Sequence, residues 1–227
     1  INKGIEVLKS LSENPKIFRP FNDFVIEKSA ETFANVALHS YNKFKETAPV
    51  ISIENPPAGG GISRAEDMKK LIDEARNKFI KGLSEKGISK DEAGKIAEKM
   101  IGATWDVGHI NMLRKYGYEK EDLIKQAEII APYLKHVHLS DNFGYEHTEL
   151  PMGMGNVPLK EEFEKFGKKL NEVQKVVETG DWWQHFKTPP ALHTLSAFGS
   201  PVYSMKMGPY WNQASFNYGN YFAGYGT

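Results

Sequence analysis

Four short apolar runs, each closing on a side chain able to ligate a metal, constrain this sequence more than anything else in it. Val50-Ile51-Ser52-Ile53 ends at Glu54, and Ala103-Thr104-Trp105 ends at Asp106. The run around Val137 ends at His138, and Val173 to Val177 ends at Glu178. Between them lie segments with apolar residues at helical spacing, such as Met68, Leu71, Ile72, Ala75 and Phe79, and later Leu123, Ala127 and Ile130. Apolar strands alternating with amphipathic helices predict an α/β fold with a parallel sheet under helices, because a parallel pair needs a crossover that covers the sheet face. All strand C-termini of such a sheet meet at one rim, where ligands bind. Four residues far apart in sequence are therefore expected to converge.

Further elements follow from the same spacing rules. Ile5, Leu8 and Leu11 mark a helix over Ile1 to Ser12, and Pro15 and Pro20 mark a loop. A longer helix is expected from about Ile26 to Lys45, with Phe33, Val36, Ala37 and Tyr41 as its apolar stripe. Ser63 with Glu66, and Ser89 with Glu92, have capping-box spacing, in which paired side chains satisfy free helix N–H groups. Helices are also expected over Glu119 to Tyr133 and Leu159 to Leu170. His136 is expected on the face opposite His138, packed toward the helices. Past Gly180 the pattern dissolves into aromatics set among glycines, prolines and asparagines. Residues 1–227 read as one domain, with 181–227 an irregular aromatic-rich extension packed on it.

Composition narrows the chemistry. The chain has 227 residues and no cysteine, so thiolate sites and disulfides are excluded, and any metal must be held by oxygen and imidazole. Three carboxylates and one imidazole suit Mn²⁺, Mg²⁺, Co²⁺ or Zn²⁺. Lys plus Arg and Asp plus Glu number 29 each, which gives no electrostatic footprint for nucleic acid. No apolar run approaches the roughly 20 residues that span a bilayer, and no signal peptide is evident. A cytoplasmic protein with a small-molecule substrate is the expectation.

The segments Ser52-Ile53-Glu54-Asn55-Pro56, Trp105-Asp106-Val107-Gly108-His109, His136-Val137-His138-Leu139-Ser140-Asp141 and Val177-Glu178-Thr179-Gly180 together resemble the xylose-isomerase-like TIM-barrel superfamily, in its sugar isomerase/epimerase branch. The resemblance covers roughly residues 50–180 and matches the second half of the barrel. It implies a partial TIM-type (β/α) barrel of about four βα units. It implies one divalent metal ion held by Glu54, Asp106, His138 and Glu178, with Glu54 and Glu178 also acting as proton carriers. His109 would contact the substrate, as would His147 and Trp183 further along the chain. The implied reaction is isomerisation or epimerisation of a hydroxy-carbonyl sugar by metal-assisted proton transfer. The first half of the barrel would come from outside this sequence, be replaced by the N-terminal helices, or be supplied by another copy of the chain or a partner segment.

Two other readings stand beside this one. The endonuclease IV branch of the same superfamily, a zinc phosphodiesterase, adds ligands from an Asp-x-His triplet; here that triplet reads Tyr145-Glu146-His147. A non-catalytic half-barrel retained as an assembly module is the other. Each site residue also has an ordinary structural role open to it: Glu54 as a loop carboxylate, Asp106 as a turn residue, His138 as a core imidazole, Glu178 paired with Lys175. Trp182, Trp183 and His185 either wall a pocket or pack in a core.

Overall fold

A computed structural model describes residues 2–10, 20–180 and 182–197. The expectations for Leu11, for the loop at Pro15 and for the tail beyond residue 197 lie outside the described residues. The first helix is α1 (Asn2–Ser10), followed by α2 (Phe21–Phe44) and the first strand, β1 (Ile51–Glu54). Then come α3 (Ala65–Ser84), α4 (Lys90–Met100), β2 (Ile101–Asp106), the short α5 (Val107–Asn111) and α6 (Lys120–Ile130). β3 (Leu134–Leu139), α7 (Leu159–Phe166), α8 (Lys169–Glu172) and β4 (Gln174–Val177) complete the sheet.

All four strands are parallel and lie in the order β1-β2-β3-β4. Consecutive order without reversal is the order of a β/α barrel, and four βα units make a partial barrel of TIM type. Ile53, Ala103, Trp105 and Val137 point to the helical side and are buried. The other face carries the polar positions: the Ser52 and Thr104 hydroxyls bond across β1 and β2 at 2.7 Å. His136 lies on this same polar face as His138, their rings 4.8 Å apart and edge to face. It does not turn toward the helices as expected. Residues two apart on a strand share a face, so the polar pair belongs together.

The core sits between the sheet and α3, α4, α6 and α7. Met68, Leu71, Ile72, Ala75, Phe79 and Leu83 form the buried face of α3, as the spacing predicts. The buried stripe of α2 is Ile26, Ala30, Ala34, Ala37 and Tyr41, whereas Val36 is exposed. Small residues at this seam let α2 lie close along α3. Ser89 caps α4 by accepting from the Glu92 N–H at 3.3 Å. Ser63 does not cap α3: its hydroxyl donates to the Gly60 carbonyl, and the first helical N–H, of Ala65, goes to the Gln126 side chain at 2.7 Å. Part of the stretch expected to be irregular forms two short helices, α9 (Trp182–Phe186) and α10 (Ala191–Ala197). No helix among the described residues is long and apolar enough to cross a membrane.

Candidate metal centre

Each strand delivers one polar side chain to the same rim. Glu54 is the last residue of β1, Asp106 the last of β2, and His138 the fifth of β3. Glu178 follows β4 directly, its N–H held by the Leu139 carbonyl at 2.9 Å. Register explains the convergence: Asp106 pairs with His138 across β2 and β3, and His138 with Val176 across β3 and β4. One ligand atom from each of Glu54, Asp106, His138 and Glu178 lies within 4.8 Å of every other.

His138 Nδ1 is 3.0 Å from Glu178 Oε2, 3.2 Å from Glu54 Oε1 and 3.8 Å from Asp106 Oδ2. None of these approaches is a formed hydrogen bond. His138 Nδ1, Asp106 Oδ2 and Glu178 Oε2 are all buried without a hydrogen-bond partner. Orphaned buried polar atoms are costly, and several at one point call for an ion or water there. Asp106 divides its oxygens accordingly. Oδ1 accepts from the His109 N–H at 2.8 Å and the Ser140 hydroxyl at 3.3 Å, while Oδ2 is left to the centre. Its side chain is 0% exposed. Burial pushes the Asp106 carboxyl up, with Glu178 and Glu54 adding to the shift and His109 opposing it. This donor set of three carboxylates and an imidazole fits a hard divalent cation.

His109 packs against the centre, with Nδ1 3.7 Å from Glu54 Oε1 and Nε2 3.8 Å from Asp106 Oδ2. Its Nε2 is 2.8 Å from His147 Nε2, so two of the three residues expected to contact substrate lie beside the cluster. Asp141 and Asn142 hold the loop that brings His147 there. Asp141 accepts from the Asn142, Gly153 and Val157 N–H groups, and Asn142 bonds the Gly108 carbonyl at 2.8 Å. The segment from Met152 to Asn156 is thus a turn tied to Asp141, as its glycines suggest. Gly108 is required at its position: a Cβ there would collide with the Ser140 hydroxyl.

A cavity of about 750 Å³ beside His147 is lined by Thr148, Glu149, Leu150, Gly180, Trp182 and Phe186. Trp183 is outside that lining and 57% exposed, whereas Trp182 is 7% exposed and faces inward. Adjacent positions on a helix point about 100° apart, so only one of the two tryptophans can face the cavity. Glu149 was not among the residues singled out from the sequence. Its Oε1 is 3.5 Å from His147 Nε2, and burial, then the Glu178 charge, raises its carboxyl. Asn55 was also missed. It is fully buried and bonds the Asp106 backbone twice, through Oδ1 at 2.8 Å and Nδ2 at 3.1 Å. Its place directly after Glu54 was the only signal.

No family model matches the chain, and no curated protein matches it. Among solved structures, one described as a D-tagatose 3-epimerase-like protein is similar at 16% identity with a TM-score of 0.41. The match covers 83% of this chain and 74% of that one.

Proposed function

We propose that this chain is a divalent-metal-dependent isomerase or epimerase of hydroxy-carbonyl substrates of the sugar type. The observation that carries the reading is the convergence of ligand atoms from Glu54, Asp106, His138 and Glu178 at one rim, those of the last three buried without a hydrogen-bond partner. Those four side chains would hold the ion, which when bound supplies Lewis-acid polarisation of substrate oxygens.

The remaining work falls to the protein's own groups. Asp106, fully buried and anchored by one oxygen, serves as a fixed ligand. Glu54 and Glu178 come from opposite edges of the sheet and are partly exposed, 40% and 38%, so their carboxylates reach the substrate side of the centre. One of them removes a proton from the carbon next to the carbonyl and the other returns one: to the opposite face of that carbon, which inverts it, or to the former carbonyl carbon while the hydroxyl proton passes to the former carbonyl oxygen, which moves the carbonyl. His109 and His147 hold substrate oxygens by hydrogen bonds beside the centre, where His147 also lines the cavity. The cavity beside Trp182 takes the remainder of the substrate, with an apolar ring against sugar C–H surfaces.

The test is solvent-deuterium incorporation into a panel of free ketoses, followed by NMR after loading the protein with Mn²⁺ or Co²⁺. Exchange at the carbon beside the carbonyl, abolished in Glu54→Gln and Glu178→Gln, is the expected result. Metal-loaded protein that exchanges no panel member, while cleaving a phosphodiester, would replace this reading with the phosphodiesterase one.

A further inference from the structure

Asn55 ties several parts of the centre together without being one of the ligands. Its side chain brackets the backbone of Asp106, accepting from the Asp106 N–H at 2.8 Å and donating to the Asp106 carbonyl at 3.1 Å. Its own carbonyl meets His109 Nδ1 at 2.7 Å. It directly follows Glu54 in the chain. One fully buried amide therefore ties the ends of β1 and β2 in register and touches three of the groups assigned to the site.

The contact with His109 has a chemical consequence. A carbonyl oxygen only accepts, so His109 Nδ1 must carry a hydrogen. In the neutral ring Nε2 is then bare, and its lone pair points at His147 Nε2, 2.8 Å away. His147 must supply the hydrogen in that contact, through Nε2–H. The orientation of both imidazoles is set in turn by where the Asn55 carbonyl lies. The side-chain bracket to Asp106 holds that carbonyl in place.

We infer that Asn55 is a positioning residue of this centre: it fixes the backbone of Asp106 and selects the Nδ1–H tautomer of His109, which leaves the single Nε2 lone pair to accept from His147, or from a substrate hydroxyl that takes the place of His147. The inference rests on the proposed metal-centre reading for its functional meaning, but its structural content does not require a metal. Ser52 provides the comparison. Its hydroxyl bonds Thr104 across the same two strands, three residues before Asn55 and two before Asp106, and makes no hydrogen bond to a site group.

The experiment is ¹⁵N NMR of the histidine side chains in the metal-free protein at alkaline pH, with His109 assigned by comparison with His109→Gln. Wild type is expected to show His109 with Nδ1 protonated and Nε2 bare. Asn55→Ala is expected to show a mixture of tautomers, and a Co²⁺ affinity lower by about 10- to 100-fold, the usual effect of losing a group that orients ligands. Ser52→Ala should lower the melting temperature while leaving both the tautomer and the Co²⁺ affinity of wild type. Asn55→Asp keeps the acceptor and loses the donor, so it should fall between wild type and Asn55→Ala; it carries the comparison if the alanine variant does not fold. An Nε2–H tautomer in wild type, or an Asn55 variant indistinguishable from Ser52→Ala, would overturn the inference. Wild-type protein that binds no Co²⁺ removes the metal reading, yet the metal-free tautomer measurement still decides the role of Asn55.

Discussion

His138 Nδ1 lies 3.0 Å from Glu178 Oε2, and the two form no hydrogen bond. They approach each other because both aim at a common point, which Glu54 and Asp106 also face. A cation at that point satisfies all of them, and its absence leaves like charges crowded together. Metal should therefore stabilise the fold. At a free ion concentration ~100-fold above the dissociation constant, linkage gives about 2.7 kcal/mol. Thermal melts with and without Mn²⁺ measure this, and His138→Ala should remove most of the gain. Equal shifts in wild type and His138→Ala would place the ion elsewhere.

The pH dependence of the metal-free protein follows from Asp106. Its folded carboxyl is raised above the ordinary 3.8, chiefly by burial. Between those values the folded state holds a proton that the unfolded chain has lost, so stability falls as pH rises through that window. Metal favours the ionised carboxylate, so the stability gap between metal-loaded and metal-free protein should widen over the same rise. Denaturant melts at several pH values test the sign. In Asp106→Asn the metal-free slope should flatten, and the metal effect should largely disappear.

Glu162 on α7, which is not one of the four ligands, should behave in the same sense. It is fully buried, and desolvation raises its carboxyl well above the ordinary 4.5. The indole N–H of Trp105 acts on it, but neither group reaches full hydrogen-bond geometry. The folded state binds the extra proton, so this group costs stability as pH rises above 4.5 toward the folded value. Glu162→Gln removes the ionisation and should make the protein more stable than wild type at neutral pH. The advantage should vanish in acid. A variant less stable than wild type at every pH would show that the carboxyl has a partner at neutral pH.

Gly108→Ala offers a test in which local and tertiary effects have opposite signs. In the short helix α5, alanine is the better helix former by about 1 kcal/mol. A Cβ at position 108 would nevertheless strike the Ser140 hydroxyl and come within 3.2 Å of Asp106 Oδ1. Overpacking should win, with a net loss of about 1–3 kcal/mol in urea melts and weaker metal binding. A stabilised variant with unchanged metal affinity would mean that Ser140 has room to retreat.

Much of the centre was legible because two simple signals coincided. Apolar runs give strands, and parallel strands share a rim, so the polar residue ending each run was bound to meet the others. What escaped depended on contacts between distant segments. The capping function expected of Ser63 passed to Gln126, 61 positions after Ala65, because that side chain reaches the first free N–H of α3. Of the stripe expected on α2, Ala37 and Tyr41 are buried and Phe33 packs at the core's edge, but Val36 is exposed, and close packing on α3 adds Ala30 and Ala34. Glu149 and Asn55 sit in segments without periodicity, and only the folded chain brings them to the site. Trp183 and Trp182 look alike in sequence; the turn of α9 decides which one faces the cavity.

If these four strand ends form one metal centre, each should be needed for the ion. Isothermal titration of the chelator-treated protein with Mn²⁺ or Co²⁺, repeated on Glu54→Gln, Asp106→Asn, His138→Ala and Glu178→Gln, decides this. One ion per chain in wild type, with affinity lost or sharply reduced in all four variants, is the predicted result. A wild type that binds no ion, or variants that bind as wild type does, would contradict it.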